Sequence, residues 1–234
     1  MYGPRYVEAH YAEVTDSELD VELRETASEL ARLKPGARIL DVGCGAGAFI
    51  EACLARQLRA EGHELNPASA AKTAARTGAP VHSGELATLQ GRWDVVHFAD
   101  VLEHVPRPVE LLASAASLLA PDGLVVARGP LEGQWTLFDA AMRARRWLRG
   151  KSSPVVSTQP PWHLVLFSLS GWRRLCRRGG LETVSETVRE VWWPAPTDGL
   201  RGQVRRVSIL FSRSPLGARL QLGNRVVSVW RRRG

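Results

Sequence analysis

The stretch Ile39-Leu40-Asp41-Val42-Gly43-Cys44-Gly45-Ala46-Gly47 decides how the rest of the chain is read. Residues 37 to 42 form a short apolar run interrupted by Arg38 and Asp41, which reads as a buried strand. The glycines at 43, 45 and 47 then make a tight turn, and a helix is predicted over about 48 to 57. Without a Cβ, backbone at those positions adopts conformations closed to other residues and approaches a ligand closely. Strand, glycine turn and helix together open a nucleotide-binding βαβ unit. Two carboxylates fit that reading. Asp41 closes the strand, and Glu64 stands 21 residues after Gly43, where a second strand should end and a carboxylate accepts hydrogen bonds from both ribose hydroxyls. Taken alone, the turn also fits a strand-to-helix connection that binds nothing.

Outward from this stretch, strand and helix patterns alternate as in an α/β domain. Residues 16 to 33 place Leu19, Leu23, Leu30 and Leu33 near helical spacing behind an Asp16 cap, and Lys34-Pro35-Gly36 ends the helix. Strands are predicted around 59 to 64, 79 to 82, 93 to 98 and 123 to 128, with helices over 67 to 77 and 108 to 119. Pro121-Asp122-Gly123 reads as a turn before the strand at 124. Beyond Pro130 the pattern loosens into a basic aromatic helix (138 to 148) and a Pro-containing linker. The alternation then resumes with a helix at 170 to 178, a strand at 181 to 188 and a last strand at 225 to 230.

Several further motifs follow in order, and with the glycine turn they resemble the class I S-adenosylmethionine-dependent methyltransferases over about residues 37 to 190. They are Glu64-Leu65-Asn66-Pro67, Gly84-Glu85-Leu86, Trp93-Asp94-Val95-Val96, Asp100-Val101-Leu102-Glu103-His104-Val105, Leu118 to Leu124, and Pro160-Pro161-Trp162-His163-Leu164 with Phe167-Ser168. The later motifs resemble the subgroup that includes ubiquinone-biosynthesis enzymes. The resemblance implies one Rossmann-like, doubly wound α/β domain over 1–234, with a mostly parallel seven-stranded sheet whose last strand is antiparallel. Segments 1–33 and 131–169 would form a substrate cap, and 170–234 the last helices and strands. It implies S-adenosylmethionine as cofactor, S-adenosylhomocysteine as product, and Asp41, Gly43, Cys44, Gly45, Gly47, Glu64, Leu65, Glu85, Leu86, Ala99 and Asp100 as cofactor-binding residues. Glu85 departs from the family's more usual Asp. A nicotinamide oxidoreductase also uses a glycine turn and an acid on the second strand, but its turn is GxGxxG and the 93 to 105 block has no counterpart there.

The chemistry follows from the cofactor. A sulfonium is already an activated methyl donor, so the protein must hold an acceptor in line, exclude water and, for a hydroxyl or amine, take away a proton. A metal is optional and none is expected. His104, just past the fourth strand, and His163, in the cap, are the candidate bases, with His163 favoured, because imidazole accepts protons near neutral pH. Each has a plainer reading, His104 as a tie for its loop and His163 as a packed cap residue. Asp100 orients the substrate, contacts the methionine end of the cofactor or, equally, caps the next loop. Tyr6, Tyr11, Trp135 and Trp162 are candidate substrate contacts, with His10 beside the two tyrosines; core packing serves the tyrosines equally well. Cys44 offers only small bulk, having no pattern that activates a thiol.

Charge is divided unevenly. Residues 141 to 234 hold 19 Arg or Lys against four acids, whereas residues 1 to 140 hold 12 against 20, which together give the net +7. Seven of the eight Trp also lie beyond residue 130. The Arg-rich 170 to 178 helix reads as a solvated face. The 200 to 222 stretch, interleaving Arg with apolar residues, fits a small-molecule, lipid-like, anionic or carrier-bound acceptor, or peripheral contact with an anionic membrane. Nucleic acid is supported by net charge alone. Three cysteines with no CxxC pair, no apolar leader and no run near the roughly 20 residues that span a bilayer point to a reducing, cytoplasmic setting. O-methylation in specialised-metabolite or cell-envelope glycan or lipid biosynthesis is the favoured function. Alternatives are the oxidoreductase and a non-catalytic, cofactor-binding partner subunit.

Overall fold

The computed structural model describes residues 18–132, 134–148, 163–191 and 199–234. Tyr6, His10, Tyr11 and Trp162, with most of the expected linker, lie outside the described residues. The strands are β1 (Arg38–Val42), β2 (Arg59–Glu64), β3 (Val81–Ser83), β4 (Trp93–Ala99), β5 (Leu119–Pro130), β6 (Leu181–Arg189) and β7 (Arg225–Arg232). They form one seven-stranded sheet in the order β3-β2-β1-β4-β5-β7-β6. β1 pairs in parallel with β2 and β4, β2 pairs in parallel with β3, and β6 and β7 are antiparallel. The reversal of strand order on either side of β1 is the doubly wound pattern, whose ligands gather beyond the carboxyl ends of the strands.

The chain divides into two compact units, one comprising residues up to Ala99 with Ala113–Val125, the other Asp100–Leu112 with Val126–Gly234. In the first, β1 is buried almost throughout because both sheet faces are covered, which is why its residues run apolar without alternation. Helix α1 (Glu18–Leu33) buries Leu23, Ala27 and Leu30 and packs against α2 (Ala48–Leu54). Leu33, expected on that stripe, is exposed instead, since it is the last residue before the helix ends. Helix α3 (Pro67–Thr77) starts from Asn66, whose side-chain oxygen accepts from the amides of Ala68 and Ser69.

In the second unit, α4 (Pro108–Ser117) begins, α5 (Leu137–Trp147) and α6 (Leu169–Arg178) follow, and α7 (Leu200–Ser212) and α8 (Pro215–Leu220) lie between β6 and β7. Its core is aromatic. Trp172 and Trp230 are fully buried with ring centroids 5.3 Å apart, and Phe167 meets Trp172 edge-on at 5.3 Å. The indole Nε1 of Trp172 donates to Ser228 Oγ at 2.9 Å. Pro121-Asp122-Gly123 does not separate from the strand: β5 already starts at Leu119, and the turn tendency survives as a left-handed Asp122 at φ 58° within it. Among the described residues no helix is long and apolar enough to cross a membrane.

Candidate functional site

The first unit's site is the glycine turn and the strand ends beside it. Gly43, Gly45 and Gly47 all have positive φ, at 69°, 50° and 86°. The amides of Gly43 and Cys44 donate to His63 O at 2.8 and 3.1 Å, which fastens the turn to β2. Its carbonyls are fastened to α3: Thr73 Oγ1 donates to Gly45 O at 2.6 Å and Arg76 Nε to Ala46 O at 2.7 Å. The glycines serve different ends. A Cβ on Gly47 would strike Thr77 and Thr73 at 2.6 and 2.9 Å, so that position is closed by packing. A Cβ on Gly45 would meet only the Gly43 carbonyl oxygen, at 4.0 Å. Glycine at 45 therefore answers to the backbone conformation and to whatever approaches from outside.

Glu64 ends β2 with a half-exposed carboxylate, and the Asn66 amide reaches one of its oxygens at 3.4 Å. Leu65 beside it is exposed. His63 Nε2 lies 2.9 Å from Gly84 O, and burial holds His63 below its usual pKa, so a neutral ring donates to that carbonyl and fixes the start of the Gly84-Glu85-Leu86 loop. There Glu85 is exposed and Leu86 buried. These residues fit S-adenosylmethionine: bare backbone at the turn, a carboxylate for a ribose and an apolar side chain for an adenine. Asp41 is placed differently. It is buried, and His97 Nδ1 bonds its Oδ1 at 2.7 Å across the β1–β4 register, with the His97 ring stacked on Phe49 at 3.7 Å. Asp41 thus anchors the end of β1 through a partner that sequence reading did not identify.

Burial, with the carboxylates of Asp41 and Glu64 adding to it, pushes the Cys44 thiol far up; burial also pushes Cys53 far up and raises Cys176. All three are buried and unbridged. Native protein held at pH 8 with iodoacetamide is expected to remain unalkylated at all three and to take up three groups once denatured, as intact mass would show. Rapid native labelling at Cys44 would contradict this account of the turn.

The second unit holds a cluster of acids, histidines and arginines. Just past β4, Asp100 takes the left-handed conformation at φ 55°, uncommon for a residue with a Cβ and a place where strain is stored. Its amide donates to Arg128 O, and its carboxylate pairs with the guanidinium of Arg225. Burial works to raise the Asp100 pKa, but Arg225 and Arg128 outweigh it and hold the carboxyl below its usual range. The one-turn 3-10 helix Leu102–His104 then turns Glu103 inward, where it is 1% exposed. Burial first, and then the nearby Asp100 carboxylate, pushes Glu103 well up.

Glu103 also fixes the second histidine. Its carbonyl accepts from the amides of Leu164 and Val165 at 2.8 and 3.1 Å, which places His163 against His104 with ring centroids 5.0 Å apart and planes at 71°. His163 Nδ1 lies 3.1 Å from Glu132 Oε1. The two candidate bases are therefore one pair. Trp135 is largely exposed, its ring covered by the Arg143 guanidinium at 5.2 Å. Glu103, Glu132, Arg128 and Arg225 were not singled out from the sequence; the Glu103 motif position was the one available signal.

Residues 15–186 match the family model of a methyltransferase domain. The ubiquinone biosynthesis O-methyltransferase of Bordetella avium (strain 197N) is 36% identical over 142 residues, 55% of this chain and 59% of that protein. Matches to the curated relatives span about half of their length. Among solved structures, the CcbJ methyltransferase of Streptomyces caelestis superposes with TM-score 0.61 at 15% identity, covering 97% of this chain and 96% of that one. The 1,6-didemethyltoxoflavin-N1-methyltransferase of Burkholderia thailandensis, solved with 1,6-didemethyltoxoflavin and S-adenosylhomocysteine bound, gives TM-score 0.58 at 17% identity over 98% of this chain and 85% of its own.

Proposed function

From the premise that this chain belongs to the methyltransferase-domain family, we propose that it transfers a methyl group from S-adenosylmethionine to a hydroxyl of a small or amphiphilic acceptor. The observation that carries this reading is the pairing of the two histidines: a hydroxyl must lose its proton for transfer, and two imidazoles in contact offer it a place to go. S-adenosylmethionine, when bound, supplies the electrophilic methyl. In this reading Glu64 holds the ribose, the Gly43–Gly47 backbone faces the cofactor, and the loop at Leu86 receives the adenine. His104 and His163 hold the acceptor oxygen and receive its proton, and Glu132 fixes the His163 ring by accepting from Nδ1. Asp100, tied to Arg225, keeps the backbone after β4 in place. An amphiphilic or anionic acceptor, or an anionic membrane carrying it, is favoured by α7, which exposes Leu200, Val207 and Leu210 beside Arg201 and Arg206.

Calorimetric titration is expected to show S-adenosylmethionine binding and no NADH binding. Glu64→Ala should weaken it about 10- to 150-fold, the loss of a charge-assisted hydrogen bond of roughly 1.5 to 3 kcal/mol. Equal affinity in the variant would remove Glu64 from the site. Release of S-adenosylhomocysteine with hydroxylated aromatic or lipid-like acceptors tests the transfer. Cofactor binding without turnover on any acceptor would favour a non-catalytic partner subunit.

A further inference from the structure

We propose that His97 is a positioning residue for cofactor binding, a clip that joins the two ends of the glycine turn. The inference deepens the S-adenosylmethionine reading and rests on it, since the turn that His97 holds is the one assigned there to the cofactor. His97 is buried on β4, in register with Asp41 near the carboxyl end of β1. One ring reaches both sides of the turn. Its Nδ1 bonds Asp41 Oδ1 at 2.7 Å, two residues before Gly43, and its face stacks on Phe49 at 3.7 Å, two residues after Gly47. A carboxylate only accepts, so Nδ1 donates.

The middle of the turn is fastened from the opposite side. β1 lies between β2 and β4, and it is β2 that holds the Gly43 and Cys44 amides, while Thr73 and Arg76 of α3 hold the Gly45 and Ala46 carbonyls. Those bonds grip residues 43 to 46. His97 grips the strand that enters the turn and the helix that leaves it. Three glycines in five residues give this backbone access to many conformations, and a turn already held in one of them loses less freedom when a ligand binds.

The energetics of the pair points the same way. Of the four residue pairs in register between β1 and β4, Ile39 with Val95, Leu40 with Val96 and Val42 with Phe98 are apolar, and Asp41 with His97 is the polar one. A buried acid and imidazole give a core no more stability than apolar side chains of similar volume, and often less. What a satisfied, directional bond adds in that setting is rigidity and a single orientation.

The test is calorimetric titration of the full chain with S-adenosylmethionine and with S-adenosylhomocysteine, the Tm of ligand-free protein being recorded for every variant. His97→Leu should weaken both ligands at least about tenfold. His97→Asn, whose Nδ2 stands on the same branch as the imidazole Nδ1 and can donate to Asp41, should stay within about threefold of the parent. In an Asp41→Val background, His97→Leu should change affinity by less than about threefold, because the clip is already open. That double variant strands no buried carboxylate, so its ligand-free Tm should exceed that of His97→Leu while its affinity stays low. Parent-like affinity in His97→Leu or in the double variant overturns the proposal, as does a loss in His97→Asn equal to that in His97→Leu. Losses that multiply in the double variant would separate His97 from Asp41 and overturn it as well. If His97→Leu does not fold, the double variant and His97→Asn carry the same decisions. A parent that binds neither ligand would overturn the cofactor reading itself, and the proposal with it.

Discussion

Trp172→Ala is expected to cost about 4 to 5 kcal/mol of stability, from the cavity left by a fully buried indole and the unsatisfied hydroxyl it strands. The ring fills the space between Phe167 and Trp230 and lies close enough to Gly129 that a Cβ there would stand 3.2 Å from it. Ser228, itself fully buried, would lose the donor on its Oγ. Spread over a chain of this length, that loss should lower Tm by roughly 10 to 15 °C. Trp172→Phe keeps much of the ring volume and loses the N–H, so its drop should fall well inside that of alanine. Equilibrium urea unfolding with equal m-values for parent and variants would assign the change to stability. A Tm within 3 °C of the parent for Trp172→Ala would mean that the core closes over the gap and that Trp172 does not organise this unit.

That indole also marks where sequence reading reached its limit. The Trp-rich, Arg-rich second half suggested a surface for membranes or anionic ligands, and at Trp135, Trp147 and along α7 the side chains are indeed exposed. Trp172 and Trp230 are core residues: helical spacing with Leu175 and Cys176 turns Trp172 inward, but its partner hydroxyl, 56 residues away, is not legible locally. The glycine turn was legible because its cause is local: three positive-φ positions within five residues leave few alternatives to glycine. The place of Glu64 at the end of β2 was legible because a βαβ unit has a fixed span.

The acid and histidine cluster was legible only in fragments. His163 and Glu132 are 31 residues apart and Asp100 and Arg225 125 apart, so each pair exists only after the chain has folded. His104 and His163 could be named as rivals from their motifs, but their contact depends on two amides bonding one carbonyl, which no side-chain pattern encodes. Element boundaries shifted for a similar reason. The Pro121-Asp122-Gly123 signal is a real backbone preference, still visible in the φ of Asp122, and β5 runs through it.

The pairing changes what is expected of the two histidines. His163→Ala should lower turnover about 10²- to 10⁴-fold, the usual contribution of a positioned proton acceptor, with affinity for S-adenosylmethionine intact. His163 is partly exposed, with 19% of its side chain accessible, and its removal leaves the Leu164 and Val165 amides on Glu103 O, so the fold should survive. In the proposed reading the two rings, 5.0 Å apart, serve one acceptor oxygen and act as a unit, and losses within a unit do not add. The double variant His104→Ala/His163→Ala should therefore be no more than about threefold slower than the worse single variant, measured as kcat/KM once an acceptor is in hand. Losses that multiply would separate the histidines into independent roles and undo the pair as the acceptor's site. A loss below threefold in both single variants would leave proximity to the sulfonium as the whole of catalysis, with the acceptor deprotonating unaided.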